Sequence, residues 1–202
     1  MPDNRFDTEL WLIRHGETEW SISGAHTGRT DISLTARGEQ RAAAIRRFFA
    51  GRQFSLVLSS PRQRALQTCR ISGYADVAII EEDLSEWDYG AYEGRTTQDI
   101  QKDCPDWFLW SHGVPGGEPI DQVAERAKRV IQRCLAAGGP TALFAHGHIL
   151  RVLAACWLCL KPEDGRLFAL STGSVSVLGF EHDIRVISMW NRSVDSDPSD
   201  ER

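Results

Sequence analysis

Two short stretches carry the residue types that phosphoryl chemistry needs. Arg14-His15-Gly16 follows the apolar run Leu10–Ile13, and His146-Gly147-His148 follows the apolar run Thr141–Ala145. A neutral imidazole nitrogen is a competent nucleophile, and a guanidinium offers planar, paired donors to phosphate oxygens. A second arginine, Arg64, comes soon after a third apolar run, Phe54–Ser59. Two histidines and two arginines at one rim would repel unless an anion sat between them. If His15 attacked phosphorus, charge would spread over the equatorial oxygens, where Arg14, Arg64 and His146 would act as fixed donors. A carboxyl group must then protonate the leaving alkoxide and activate water. Taken alone, Arg14-His15 reads equally as a strand that stops at a polar turn.

The elements that must position these groups follow from periodicity. Short apolar runs bounded by turn residues predict buried strands at Leu10–Ile13, Phe54–Ser59, Val77–Ile80, Thr141–Ala145, Ser174–Phe180 and Ile184–Trp190. Three- and four-residue spacing predicts helices from an N-cap at Thr35 to Phe49, from Ile120 to Leu135, and from Ile149 to about Leu160. Another helix starts at Ser60-Pro61, with serine as cap and proline at its first position. Ser21–Leu34 and Ser85–Gly94 read as loops. Trp107–Pro119 reads either as a flap over a pocket or as a satellite cluster on the core. Strands alternating with helices predict an α/β fold, a three-layer α/β/α sandwich with a mostly parallel central sheet. In such a sheet ligands dock outside the carboxyl ends of the strands, where both histidine turns would lie.

The 202 residues suffice for one domain spanning 1–202, with 1–8 and 194–202 as frayed tails. A formal charge of −5 argues against nucleic acid or an anionic membrane surface as the main partner. No apolar run reaches membrane-spanning length, and Met1–Thr8 lacks the apolar core of a signal peptide. Five cysteines without a scaffold pattern suit a reduced, cytoplasmic protein. Cys156 and Cys159 have redox-motif spacing but sit in an apolar run, so two buried thiols are expected. The histidines at 15, 146 and 148 are metal-ligand types, yet flanking arginines disfavour a cation. No metal or other cofactor is expected.

Arg14-His15-Gly16-Glu17-Thr18 resembles the signature of the histidine phosphatase superfamily, the phosphoglycerate mutase-like proteins. Ser59-Ser60-Pro61 with Arg64-Ala65 and Gln67-Thr68, Glu86 within SEWDYGAYEG, and His146-Gly147 resemble its other landmarks in order. The resemblance implies that His15 is the phosphate acceptor, that Arg14, Arg64 and His146 form the phosphate pocket, and that Glu86 is the acid/base. It places Ser21, Thr27 and Gly28 where members of the family contact phosphate or substrate. Glu19–Ser21, His26–Gly28, Glu86-Trp87 with Tyr89, and Phe144–His148 with Arg151 resemble sedoheptulose-1,7-bisphosphatase-like members. That implies His148 and Arg151 in substrate binding, although Arg151 reads equally as a solvated helix residue. Only the short stretch Lys161–Gly165 comes directly after the last helix, which favours a broader sugar-phosphate phosphatase. The expected partner is therefore a small phosphate ester; a homo-oligomer is compatible with the sequence. The alternatives are a phosphoglycerate mutase-type isomerase and a non-catalytic phosphoryl-binding protein.

Overall fold

Alternate residues of the central strands enter two different hydrophobic clusters. Leu10, Leu12, Leu143 and Ala145 belong to one, while Trp11, Ile13, Ala142 and Phe144 belong to the other. Strands apolar on both sides must be covered on both sides. The computed structural model, which describes residues 8–194, shows how this is done. Strands β1 (Leu10–Arg14), β2 (Leu56–Ser59), β3 (Ala78–Ile80), β4 (Thr141–Ala145), β5 (Val175–Glu181) and β6 (Ile184–Arg192) form one sheet in the order β3-β2-β4-β1-β5-β6. The first four run parallel, and β5 and β6 add an antiparallel edge.

Helices α2 (Ala36–Phe49) and α3 (Gln63–Ile71) cover one face through Ile45, Phe49 and Cys69. Helices α6 (Ile120–Ala137) and α7 (Gly147–Trp157) cover the other through Val123, Val130, Leu150 and Leu153. The chain therefore leaves β1 toward one face and leaves the adjacent β4 toward the other. That divergence opens a crevice beyond the carboxyl ends of the two strands.

The expected caps hold where residue chemistry is local. Thr35 accepts from the Gly38 N–H to cap α2, and Gly138 closes α6 at φ 65°. Other boundaries differ. Helix α3 begins at Gln63 with Arg62 as its N-cap residue, so Ser60 does not cap it. Helix α7 begins two residues earlier than expected and stops at Trp157. Cys159 consequently lies past the helix end at φ 58° and is exposed, so the expected pair of buried thiols does not form.

Three short helices were not foreseen: α1 (Glu19–Ser23), α4 (Thr97–Asp103) and α5 (Leu109–His112). Trp107, Leu109 and Trp110 are buried in the same cluster as α6 and α7, so the start of Trp107–Pro119 packs on the core, while Phe108, Ser111, His112, Pro115 and Gly116 are exposed. Most of the two expected frayed tails lies outside the described residues. Thr8 is fully buried and Val194 packs on the second cluster, so neither is frayed.

Candidate active site

The register of β1 against β4 pairs Arg14 with Ala145, which sets the following residues, His15 and His146, side by side. The His15 N–H donates to the Ala145 carbonyl (2.9 Å), and the two imidazole centroids lie 5.2 Å apart. On the other side of β4, Ser59 pairs with Phe144, and this brings Ser60 to His146. Three strand ends thus converge on one point.

Gly16 allows the turn after β1. A Cβ there would lie 2.4 Å from the Gly38 carbonyl oxygen at the start of α2, a contact that backbone cannot relieve. The Gly16 N–H donates to Thr68 Oγ1 (3.0 Å), tying the turn to α3.

His15 Nδ1 lies 2.7 Å from the Gly16 carbonyl oxygen. A carbonyl only accepts, so Nδ1 carries the proton and Nε2 keeps a free lone pair. Burial, and then the charges of Arg14 and Arg64, hold the His15 imidazole well below the usual histidine range; the Gly16 bond works in the opposite sense. Arg14 donates through Nη1 to the Leu170 carbonyl, while its buried Nε has no partner. An unsatisfied buried guanidinium N–H is costly and points to a missing acceptor.

Arg64 is fully buried, and each of its three nitrogens donates. Its Nε donates to His146 Nδ1 (3.0 Å), Nη1 to the Thr30 carbonyl (3.0 Å), and Nη2 to the carbonyls of Thr27 (2.9 Å) and Gly28 (3.3 Å). The mutual repulsion expected of rim arginines is relieved by these carbonyls. With Nδ1 accepting from Arg64, His146 donates through Nε2 to Ser60 Oγ (2.7 Å). Burial and the nearby cations Arg64 and Arg14 hold it neutral. His146 is thus buried beside His15, and neither it nor Arg64 is among the residues that line the open cavity.

That cavity is about 170 Å³ and is lined by Arg14, His15, Ser21, Thr27, Glu86, Tyr89, His148 and Arg151, with Thr18, Trp20 and His26 among others. Ser21 closes a capping box with Thr18 on α1: each backbone N–H donates to the other's hydroxyl, and Ser21 Oγ donates to the Thr18 carbonyl (2.8 Å). Gly28, expected to contact substrate, is absent from the lining. Its N–H is taken by the Glu93 carboxylate (2.9 Å), and an anion there would meet that charge.

Glu86 sits at the start of α7, its carboxylate accepting from the N–H groups of Trp87 (2.9 Å), His148 (3.0 Å) and Ile149 (2.9 Å). These bonds satisfy otherwise orphaned donors of the helix and fix the carboxylate's orientation. Glu86 also borders a second cavity of about 410 Å³, shared with Arg29, Arg62 and Asp88. Arg151 donates to the carbonyls of Gly165 (3.0 Å) and Arg166 (3.1 Å) and lies 4.7 Å over Trp110. It is thus a cavity residue, and two of its five N–H groups are spent on main chain. Sequence reasoning missed Tyr89 and His26 as lining residues; their aromatic–acid context in SEWDYGAYEG and the His-Thr-Gly turn were the available signals. Among the described residues, no group of three or more His, Cys, Asp or Glu side chains is placed to hold a metal ion.

Residues 10–193 match the family model of the histidine phosphatase superfamily (branch 1). The chain belongs to the histidine phosphatase superfamily. As a member of that superfamily it is a phosphatase. It is 38% identical over 184 residues to an acid phosphatase of Mycobacterium tuberculosis, covering 89% of this chain and 90% of that protein. It is 35% identical over 185 residues to the sedoheptulose 1,7-bisphosphatase of Saccharomyces cerevisiae, covering 75% of this chain and 68% of that one. The solved structure of an open reading frame product of M. tuberculosis superposes with a TM-score of 0.88 at 35% identity, over 93% of this chain and 99% of that one.

Proposed function

We propose that this histidine phosphatase hydrolyses a small phosphorylated metabolite, a sugar phosphate or bisphosphate, through a phosphohistidine on His15. The observation that carries the reading is the tautomer of His15. Its Nδ1 proton is committed to the Gly16 carbonyl, which leaves Nε2 without a partner on a residue that lines the same cavity as Arg14. Nε2 attacks phosphorus in line with the leaving oxygen, and Arg14 receives the charge that builds on the equatorial oxygens. Arg64 and His146 form a buried hydrogen-bonded pair next to this imidazole. Glu86 donates a proton to the departing alkoxide and then takes one from the water that cleaves the phosphohistidine. The more open cavity on which Glu86 also borders gives that water a route.

A cavity of about 170 Å³ is small against ligand pockets of roughly 300–1,000 Å³, and it suits a phosphoryl group with a compact alcohol. The yeast relative's named substrate is a sugar bisphosphate, which supports the sugar-phosphate class rather than the size of the substrate. Hydrolysis of nitrophenyl phosphate in EDTA tests the reading. His15→Ala should lose at least about 1,000-fold in kcat. Retention of activity in the substituted protein contradicts the assignment of the nucleophile.

A further inference from the structure

The segment that carries Glu86 grips the start of α7 twice. Glu86 holds the main chain of His148 and Ile149, and three residues later Tyr89 holds the His148 side chain: the phenol oxygen lies 2.6 Å from Nδ1. Tyr89 is buried, and its hydroxyl proton has one acceptor in reach among the described residues, that same Nδ1. Burial and the neighbouring Glu86 push the phenol well above its usual range, so the proton stays on it. Nδ1 therefore accepts, and the imidazole proton must sit on Nε2.

The alternative partner for Nδ1 is Glu86 Oε2, but at 3.9 Å it is beyond hydrogen-bond reach. Burial, followed by the charge of Arg151, holds the His148 ring neutral, so no ion pair forms. The ring packs among Trp87, Tyr89 and Trp110 at centroid distances of 6.2, 5.8 and 5.4 Å, and the bond to Tyr89 selects the orientation that turns Nδ1 to the phenol. Its Nε2 has no hydrogen-bond partner among the described residues, and His148 lines the cavity that holds His15.

We infer that Tyr89 is a positioning residue that fixes the Nε2–H tautomer of His148, so that a neutral N–H reads a hydroxyl oxygen on the alcohol being released. This rests on the reading of His15 and Glu86 given above and narrows its substrate class. A neutral donor suits a hydroxyl, carbonyl or ether oxygen; a second phosphate calls for charged donors. Arg151, the cation of this cavity on α7, commits two of its five N–H groups to carbonyls and its face to Trp110. The favoured substrate is thus the monophosphate of a polyol whose neighbouring hydroxyl meets His148.

Three measurements test this. The first compares kcat/KM for glycerol 3-phosphate with that for propyl phosphate, which lacks the hydroxyls but has a similar leaving group. The glycerol ester should lead by about three- to tenfold, the value of one hydrogen bond, and Tyr89→Phe should bring the ratio toward one. The second repeats Tyr89→Phe in a His148→Gln background. The glutamine amide supplies a donor near the Nε2 position without needing the phenol, so Tyr89→Phe should then shift the ratio by less than about twofold. The third is a two-bond proton–nitrogen correlation on histidine-labelled protein. His148 should show the Nε2–H tautomer, and Tyr89→Phe should yield a mixture. An Nδ1–H tautomer in the unsubstituted protein, an unchanged ratio in Tyr89→Phe, or a preference for sugar bisphosphates that Arg151→Met removes would each overturn the inference. Loss of turnover in His15→Ala alongside any of these confines the failure to Tyr89 and His148. Retained turnover in His15→Ala would overturn the underlying reading as well.

Discussion

At the scale of single residues, the site is built by committing each polar atom to one partner and leaving selected atoms bare. His15 Nε2 and His148 Nε2 are uncommitted atoms of residues that line one cavity, and Arg14, which lines it too, has a buried Nε without a partner. Glu86 is the opposite case, since its carboxylate already accepts three N–H bonds. Its proposed chemistry is therefore coupled to its grip on α7. Glu86→Gln should slow hydrolysis of alkyl phosphates by about 100- to 10,000-fold while slowing nitrophenyl phosphate much less, because nitrophenolate leaves without a proton. Parallel kcat measurements on the two esters check this; equal slowing contradicts the acid/base role. The amide would also set an NH₂ against donors that now meet an oxygen, so a lower Tm should accompany the kinetic change. That Arg14, His15 and Glu86 would meet at one cavity was legible in the sequence because each stands in a compact local motif. Ser60 and Tyr89 were not. Ser60 reads as a helix cap by local rules and is taken instead by His146, across a strand pairing that no local pattern encodes.

At the scale of elements, precision comes from how closely strand ends and helix starts approach. Gly16 and Gly38 cross with no room for a side chain: a Cβ on Gly16 would lie 2.4 Å from the Gly38 oxygen, and a Cβ on Gly38 would lie 2.2 Å from the Glu17 oxygen. Gly16→Ala must push α2 away from the end of β1. This should cost about 1–3 kcal/mol, a Tm fall of roughly 2–12 °C, and should lower kcat by displacing His15. Thermal unfolding together with steady-state kinetics checks both; a fully active, equally stable variant would show that the turn yields freely. The central strands were legible because β1 and β4 are apolar on both faces, and α6 was legible because its 18 residues sustain one stripe. Helices α1, α4 and α5 span five, seven and four residues, too few to show a period. They form because Thr18 and Thr96 supply caps and because Trp107 and Trp110 dock on the core. The Trp107–Pro119 segment remained open between flap and core in the sequence, since burial of tryptophan is a tertiary fact. Here both outcomes meet in one place. Trp110 is core, and it also packs against the ring of His148.

At the scale of the whole molecule, the sheet drives three imidazoles, His15, His146 and His148, into a region too dry and too cationic to charge them. Burial is the largest cause for each, followed by arginine charge, and all three are held well below the ordinary value of 6.5. This links stability to pH with a definite sign. A group whose pKa is depressed by folding takes up its proton first in the unfolded chain. Its contribution is present in full above about pH 6.5 and is lost as pH falls from there toward the folded value. Each imidazole that stays neutral while its unfolded counterpart charges contributes a slope of about 1.4 kcal/mol per pH unit, so three give about 4 kcal/mol per unit. Urea unfolding from pH 7.5 to 5 should show stability falling steeply below pH 6.5, and His148→Gln should remove about a third of that slope. A phosphate-sized anion between Arg14 and His15 would offset the arginine charge and permit protonation in the folded state, so saturating phosphate should flatten the profile. A flat profile without ligand would mean that these histidines are hydrated and not held neutral. The same depression keeps His15 unprotonated, and so nucleophilic, well into acid. In the free enzyme this persists at pH values where the fold is already losing stability, so the acid limb of kcat/KM for nitrophenyl phosphate, which reports the unliganded site, should coincide with unfolding rather than with titration of a free imidazole near pH 6.5.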